Sequence, residues 1–360
     1  ICQQHRWQLV IHLAAQSLLP VAQSTPTETF EVNVLGTLNL ITALQTQPPE
    51  LLLQEVVDIN SPLSYVFNPL SMHHKTLSSE AVLWADELHK VMPSHVVVAK
   101  AELVGMVIFV LISAQHAAGC RSARVAHMGM GPLGAGNKGA VAASLSLYER
   151  SVCFVCAHFA SGTKHLDARN KQMRTLLSDL HFPNDAEEGS TSSLPESPGA
   201  HDVVIWCGDL NYRINLDADA TRTLATRGEH EALRAHDQLL EAQRAGSAFD
   251  GFHEAELSFP PTYKYDPQSD TFDTSEKRRP PAWCDRVLWR VNVPELSASG
   301  SNARGTATEA EMPRVRCSSY KSHDERTSDH RPVSAALDVV RAPHGHFTAF
   351  VPRKRSRANA

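Results

Sequence analysis

The apolar positions of this chain fall mainly into short runs that are typical of buried β-strands, and polar loops separate them. Apolar residues at helical spacing predict helices over 27–44 and 167–180. Because strands and helices alternate, the pattern predicts an α/β protein. The runs that predict strands are 8–15, 95–100, 104–113, 124–128, 139–147, 152–157, 203–207, 284–291, 314–319 and 333–340.

Composition supports a globular chain and narrows the range of partners. The 360 residues are 42% apolar, which is enough for a substantial core. The formal net charge is -5, so we expect no nucleic-acid binding, and attraction to an anionic ligand has to come from local basic clusters. The seven cysteines lie mostly in apolar runs and are odd in number, which favours a reduced, cytoplasmic protein. No apolar stretch reaches the length of a membrane span.

Three separate segments place Asp, Asn or His at or just beyond the end of an apolar run: Trp206–Arg213, Pro281–Arg286 and Ser328–Pro332. In the first, alternation along a strand puts Asp209 and Asn211 on the same side. One can then accept a proton while the other orients it. A strand followed by an ordinary Asx turn is the alternative interpretation.

The third segment pairs a carboxylate with an imidazole. We expect Asp329 to hold one ring nitrogen of His330 and to favour the imidazolium, which suits a group that stabilises charge on phosphorus. Polar surface residues are the alternative. A glycine-rich turn, 134–139, precedes a strand, and its backbone N–H groups could approach phosphate while Asn137 and Lys138 contact it. A mobile loop is the alternative there.

Together these segments resemble the inositol polyphosphate 5-phosphatases of the endonuclease/exonuclease/phosphatase superfamily. The resemblance covers residues 51–340 and implies a DNase I-like, four-layer α/β sandwich, with two mixed sheets face to face and helices outside. It implies Mg²⁺-dependent removal of the 5-phosphate from a phosphoinositide or a soluble inositol polyphosphate. It makes Asp209 the general base and Asn211 its partner, and it implies that His158 hydrogen-bonds the scissile phosphate.

Two further segments, 259–266 and 275–286, resemble the parts of this family that distinguish it within the superfamily. The resemblance implies that four residues in them contact an additional phosphate on the inositol ring: Tyr263, Lys264, Lys277 and Arg279. A polyanionic headgroup does need several fixed cations. A solvated basic turn is the alternative interpretation.

The metal site has the weakest match. Residues 51–56 resemble the family strand that ends in Gln-Glu, which makes Glu55 the candidate Mg²⁺ ligand; a Glu at a helix end is the alternative. The family's opening strand, whose Trp-Asn pair also serves the metal, has no counterpart before Glu55. We therefore expect the fold to be incomplete at its N-terminus, unless the strand at 9–13 takes the empty place. A phosphoinositide-binding module without turnover is the main alternative function.

The ends and the insertions complete the domain prediction. Residues 1–50 resemble one βα unit of the extended short-chain dehydrogenases, but without the G-x-G-x-x-G turn or the Tyr-x-x-x-Lys pair. We expect an orphan Rossmann-like fragment there, and a nucleotide-sugar oxidoreductase is the weakest alternative. Polar segments 184–201 and 295–311 predict mobile surface insertions. The tail, 341–360, carries a basic run that could contact an anionic membrane. Because the chain does not begin with Met, we expect a fragment.

Overall fold

The described part of the chain contains twelve strands, four α-helices and three short 3₁₀-helices, with further helical residues at 85–86 and 88–90. The computed structural model describes residues 6–15, 51–57, 85–86, 88–90, 92–148, 150–183, 194–292, 314–326 and 328–340. The strands are β1 Arg6–Ala15, β2 Leu51–Val57, β3 His95–Leu103, β4 Met106–Ser113, β5 Cys120–Gly129, β6 Gly139–Leu147, β7 Arg150–His158, β8 Val203–Asp209, β9 His253–Glu254, β10 Asp285–Val291, β11 Arg314–Ser322 and β12 Val333–Val340. The helices are α1 Leu166–Asp179, α2 Ala218–Thr226, α3 His230–Arg234 and α4 Gln238–Arg244.

The strands form two six-stranded sheets. The first sheet has the order β11-β12-β1-β2-β4-β3, and the second has the order β5-β6-β7-β8-β10-β9. Alternate residues of both sheets, such as Ile108 and Ile205, meet in one apolar core. On the other side of the second sheet, Met173 and Leu176 of α1 pack with Trp206 in a separate core. This is the layered α/β arrangement that the alternation of elements predicts.

The strand near the N-terminus takes the place that the resemblance left empty. β1 runs parallel to β2 and antiparallel to β12, so the first sheet is continuous from β11 to β3. Leu13 pairs with Glu55 on one side and with Val333 on the other. Strand spacing therefore puts the backbone of Glu55 about 10 Å from the start of β12, which follows His330 closely in the chain.

Several expectations need correction or fall outside the described residues. The surface assignment is wrong for the end of the 184–201 segment, because Leu194, Pro198 and His201 are buried and His201 Nε2 lies 2.7 Å from Ser144 Oγ. Hydrophobic periodicity missed α2, α3 and α4, which are short. The predicted helix at 27–44, the insertion at 295–311 and the basic tail lie outside the described residues. None of the described helices is long and apolar enough to cross a bilayer.

Candidate active site

The carboxyl end of β8 presents Asp209, and the backbone there is held tightly. Gly208 has φ 129°, and a Cβ at that position would come within 2.0 Å of the carbonyl oxygen of Ala157 on β7. Only glycine lets β7 and β8 end so close together. Asn211 has φ 54°, a left-handed conformation that Asn tolerates well. Its backbone N–H donates to Asp209 Oδ1 at 3.0 Å, and its Nδ2 donates to Oδ2 at 2.9 Å.

The next strand over brings His158 to the same place. Nε2 of His158 lies 3.2 Å from Asp209 Oδ2, and the same nitrogen contacts Nζ of Lys138. The pairing of Gly139 with His158 at the ends of β6 and β7 explains this contact, since Lys138 immediately precedes β6. The sequence-predicted residues Asp209, Asn211, His158 and Lys138 thus form one cluster at one edge of the second sheet.

The charges in this cluster follow from burial and from its neighbours. Burial alone would raise the pKa of Asp209, but His158, His330 and Lys138 lower it below its usual value. Burial lowers the pKa of His158 and outweighs the opposing effect of Asp209. Burial also lowers the pKa of Lys138. Near neutral pH the arrangement therefore favours an ionised Asp209 beside a neutral His158.

His330 completes the cluster, but its partner is not the predicted one. Its Nδ1 donates to Asp285, at 2.9 Å from Oδ2 and 3.1 Å from Oδ1. The prediction that Asp329 holds this ring is wrong. Successive residues of an extended segment point to opposite sides, and Asp329 instead accepts from Lys264 Nζ at 2.5 Å. Burial alone would lower the pKa of His330, but Asp285, Asp209 and Asp329 raise it to about 9.

Sequence reasoning missed the roles of Asp285 and Arg213, although both lie in the segments that it singled out. Asp285 pairs with Asp209 across β10 and β8, so the strand register brings the two carboxylates to the same edge. The guanidinium of Arg213 lies 4.5 Å above the ring of Tyr263 and donates to Oδ1 of Asn211. The Tyr263 ring in turn lies 4.6 Å from that of His330. The position of Asp285 at the start of an apolar run was the available signal.

The other predicted substrate residues lie around this cluster. Oδ1 of Asn137 is buried and has no hydrogen-bond partner among the described residues. Lys277 is exposed, and the structure brings it into no described contact with the cluster. The backbone N–H of Arg279 donates to Asp273 Oδ2 at 2.8 Å, which fixes the loop. Burial raises the pKa of Tyr263 to about 12, against the opposing effect of Arg213 and Arg279 nearby.

A divalent cation is compatible with this edge of the molecule. Among the described side chains, no group of three or more His, Cys, Asp or Glu residues could hold a metal ion. Mg²⁺, however, is commonly bound by one or two carboxylates, with waters and substrate phosphates completing its shell. Glu55 pairs with Leu13 of β1, and Leu13 pairs with Val333 at the start of β12. One carboxylate at this position fits that kind of site.

Comparison with known proteins decides the family. Residues 23–336 match the endonuclease/exonuclease/phosphatase family 2. The chain belongs to this family. Human synaptojanin-1 is 39% identical over 274 residues, which cover 71% of this chain and 16% of that protein. Mouse type II inositol 1,4,5-trisphosphate 5-phosphatase is 39% identical over 241 residues, which cover 66% of this chain and 22% of the relative.

Other relatives extend this picture across kingdoms. Type I inositol polyphosphate 5-phosphatase 4 of Arabidopsis thaliana is 34% identical over 283 residues, which cover 76% of this chain and 48% of the relative. The chain therefore spans less than half the length of each of these relatives. The resemblance to the inositol polyphosphate 5-phosphatases that the motifs carried is confirmed by the family match and by these relatives.

Solved structures confirm the DNase I-like fold. The 5-phosphatase domain of SPsynaptojanin, crystallised with inositol (1,4)-bisphosphate and a calcium ion, has a TM-score of 0.68 at 22% identity. The match covers 95% of this chain and 87% of that one. Cimex nitrophorin, solved as a ferrous nitric oxide complex, has a TM-score of 0.62 at 17% identity, covering 93% of this chain and 99% of that one. The shared fold thus does not define a function, and the function has to be argued from the site.

Proposed function

We propose that this chain is a Mg²⁺-dependent phosphatase that removes the 5-phosphate from phosphoinositides or soluble inositol polyphosphates. The observation that carries the proposal is the cluster in which Asp209, whose pKa is lowered by its neighbours, lies among His158, Lys138 and His330. Hydrolysis of a phosphomonoester needs a base for water and cationic donors for the phosphoryl oxygens. This cluster supplies both. The names of the relatives at 34–39% identity support the choice of substrate class.

Each side chain of the Asp209 cluster has its own role in the reaction. Asp209, oriented by Asn211, accepts the proton of the attacking water. Its lowered pKa makes it a weak base at rest, but a bound phosphate dianion would offset the surrounding positive charge and raise that pKa. His330, held as a cation by Asp285, donates a hydrogen bond to a phosphoryl oxygen, as do Lys138 and His158. All of these groups act on charge that grows in the transition state.

The remaining predicted residues bind the rest of the substrate. Lys264, Lys277 and Arg279, with Tyr263, would contact a second ring phosphate, and Asn137 would approach the scissile one. Glu55 would hold the Mg²⁺ ion, which supplies a Lewis acid for a phosphate oxygen when it is bound. We further propose that the protein works in the cytoplasm and touches the anionic membrane that carries its lipid substrate.

The test is phosphate release from vesicles of phosphatidylinositol 4,5-bisphosphate and from soluble inositol 1,4,5-trisphosphate, with and without Mg²⁺. Chromatography of the products identifies which phosphate is lost, and Asp209→Asn is the control for a contaminating phosphatase. We expect Mg²⁺-dependent loss of the 5-phosphate, abolished in the control. Headgroup binding without phosphate release at any Mg²⁺ concentration would instead support the binding-module alternative.

A further inference from the structure

The buried hydroxyl of Thr262 lies next to the Asp285–His330 pair. Thr262 belongs to segment 259–266, for which the sequence predicts only contacts with substrate. Thr262 Oγ1 donates to Asp285 Oδ2 at 2.6 Å, and the same oxygen accepts from His330 Nδ1 at 2.9 Å. Thr262 is 0% exposed, and Asp285 and His330 are 4% and 5% exposed. Three separate segments therefore meet through one carboxylate oxygen.

The backbone fixes the hydroxyl in this position. Arg331 N–H donates to the carbonyl of Thr262 at 2.8 Å, and Tyr265 N–H donates to that of Asp329 at 2.9 Å. These bonds form a short ladder between the segment around Tyr263 and the segment that carries His330. The backbone hydrogen bonds therefore fix the position of Thr262 relative to His330, and from this position the Thr262 side chain contacts Asp285.

We propose that Thr262 is a positioning residue for the Asp285–His330 pair, and that its hydroxyl locks the Asp285 carboxylate in the orientation that holds the His330 ring. The proposal rests on the proposed function for its effect on turnover. Nδ1 of His330 lies within hydrogen-bond distance of both oxygens of Asp285, so this contact alone does not fix which oxygen faces the ring, whereas the Thr262 hydroxyl bonds Oδ2 only. Without the hydroxyl, Oδ2 would lose one of its two partners in a dry environment.

The hydroxyl also influences how readily His330 loses its proton. The charged and titratable groups that face the His330 ring are Asp285, Asp209, Asp329, His158 and Tyr263. Deprotonation of the imidazolium leaves the Asp285 anion without its cationic partner, and Thr262 is then its closest remaining donor. Removal of this donor makes the deprotonated state less favourable, so the pKa of His330 should rise further.

Three substitutions separate this role from simple packing. Thr262→Val keeps the shape and removes the hydroxyl, whereas Thr262→Ser keeps the hydroxyl. Thr221→Val is the matched control, because Thr221 is also 0% exposed but its hydroxyl donates to the backbone carbonyl of Asp217, the residue that precedes α2. Each protein is first checked for cooperative unfolding.

The readouts are kcat, KM and the titration of His330 followed by imidazole NMR. We expect Thr262→Val to lower kcat about tenfold with little change in KM, and to move the His330 titration to higher pH. We expect Thr262→Ser and Thr221→Val to resemble the unmodified protein in both readouts. An unchanged His330 titration in Thr262→Val would overturn the proposal. If the unmodified chain releases no phosphate, the proposed function fails, but the NMR titration still tests the role of Thr262.

Discussion

The two histidines of the site have similar surroundings but differ in their favoured charge state. Both lie near Asp209 with little exposed area; His158 is the last residue of β7, and His330 precedes β12 by three residues. Burial lowers the pKa of His158, and its carboxylate neighbour Asp209 does not offset this effect, because the charges of Lys138 and His330 lower the pKa as well. His330 faces three aspartates, and its pKa is raised to about 9. The difference indicates that the number of neighbouring carboxylates, rather than burial, decides which histidine is the cation.

This comparison gives each histidine a distinct task. A neutral His158 can donate or accept through Nε2, which faces both Asp209 and Lys138. A cationic His330 can only donate, and Asp285 already accepts the hydrogen bond from its Nδ1–H. Its remaining Nε2–H is then available to a phosphoryl oxygen.

Loss of either Asp209 or His330, the charged residues of the cluster assigned to catalysis, should nearly abolish turnover. We expect Asp209→Asn or His330→Ala to lower kcat at least about a hundredfold, the scale of losing a general acid or base. Initial rates of phosphate release measure this, and circular dichroism verifies that each variant is folded. A folded variant that keeps more than half of the activity would remove that residue from the mechanism.

The basic loops should affect substrate choice more than chemistry. We expect Lys264→Met, Lys277→Met and Arg279→Met each to reduce kcat/KM for multiply phosphorylated inositol substrates about 10-fold to 100-fold, as for charged hydrogen bonds. Lys277 is exposed and should have the smallest effect of the three. Lys100→Met, an exposed lysine on β3, is the matched control. Equal losses toward a simple aryl phosphate would show that these residues do not read a ring phosphate.

The partner of His330 can be tested through stability. The pKa of His330 is raised above its unfolded value, so the pair stabilises the fold below the unfolded pKa and loses this effect as pH rises through about 9. Asp285→Asn should therefore lower the free energy of unfolding by up to about 3 kcal/mol at pH 6 and by much less at pH 10. Urea denaturation at both pH values measures this difference.

Asp329→Asn gives the matched comparison for the corrected assignment. Asp329 pairs with Lys264 and adds only a longer-range effect on His330. We expect it to move the His330 titration less than Asp285→Asn does. If Asp329→Asn shifted the His330 titration more than Asp285→Asn, Asp329 would be the partner of His330, as the adjacent sequence positions suggested.

The smallest expected effect concerns the metal. The family's opening strand, whose Asn serves the metal, has no counterpart before Glu55; β1 lies beside β2, and Leu13 is in register between Glu55 and Val333. We expect Leu13→Asn to tighten Mg²⁺ binding to the free protein a few-fold, because an amide oxygen suits this cation. Isothermal titration calorimetry measures the affinity without reference to activity. Weaker binding than in the unmodified chain would show that this register position does not serve the metal.

Much of the fold was predictable, because buried strands leave clear apolar runs. The run at 139–147 matches β6 and that at 333–340 matches β12. The place of β1 in the sheet was left open, since periodicity identifies a strand but not its neighbours. The short helices were missed, because α3 has only five residues and shows little periodicity.

Sequence reasoning named several residues that the structure brings together, such as Asp209, His158 and His330, but it did not give their pairings. Adjacent positions suggested that Asp329 holds His330, yet extended backbone turns neighbours to opposite sides. The true partner, Asp285, lies 45 positions away along the chain, and Tyr263 connects the two segments by bridging to Ala282 on one side and to His330 on the other. Long-range contacts of this kind carry no local signal in one sequence.

The most direct test is an NMR titration of both imidazoles in the unmodified protein, without substrate. Selective labelling and the variants His158→Gln and His330→Gln assign the two signals. We predict that His330 loses its proton near pH 9 and that His158 loses its proton below the usual histidine value. If His158 titrates at higher pH than His330, the division of charge between the two histidines is contradicted, and the roles given to them must be exchanged.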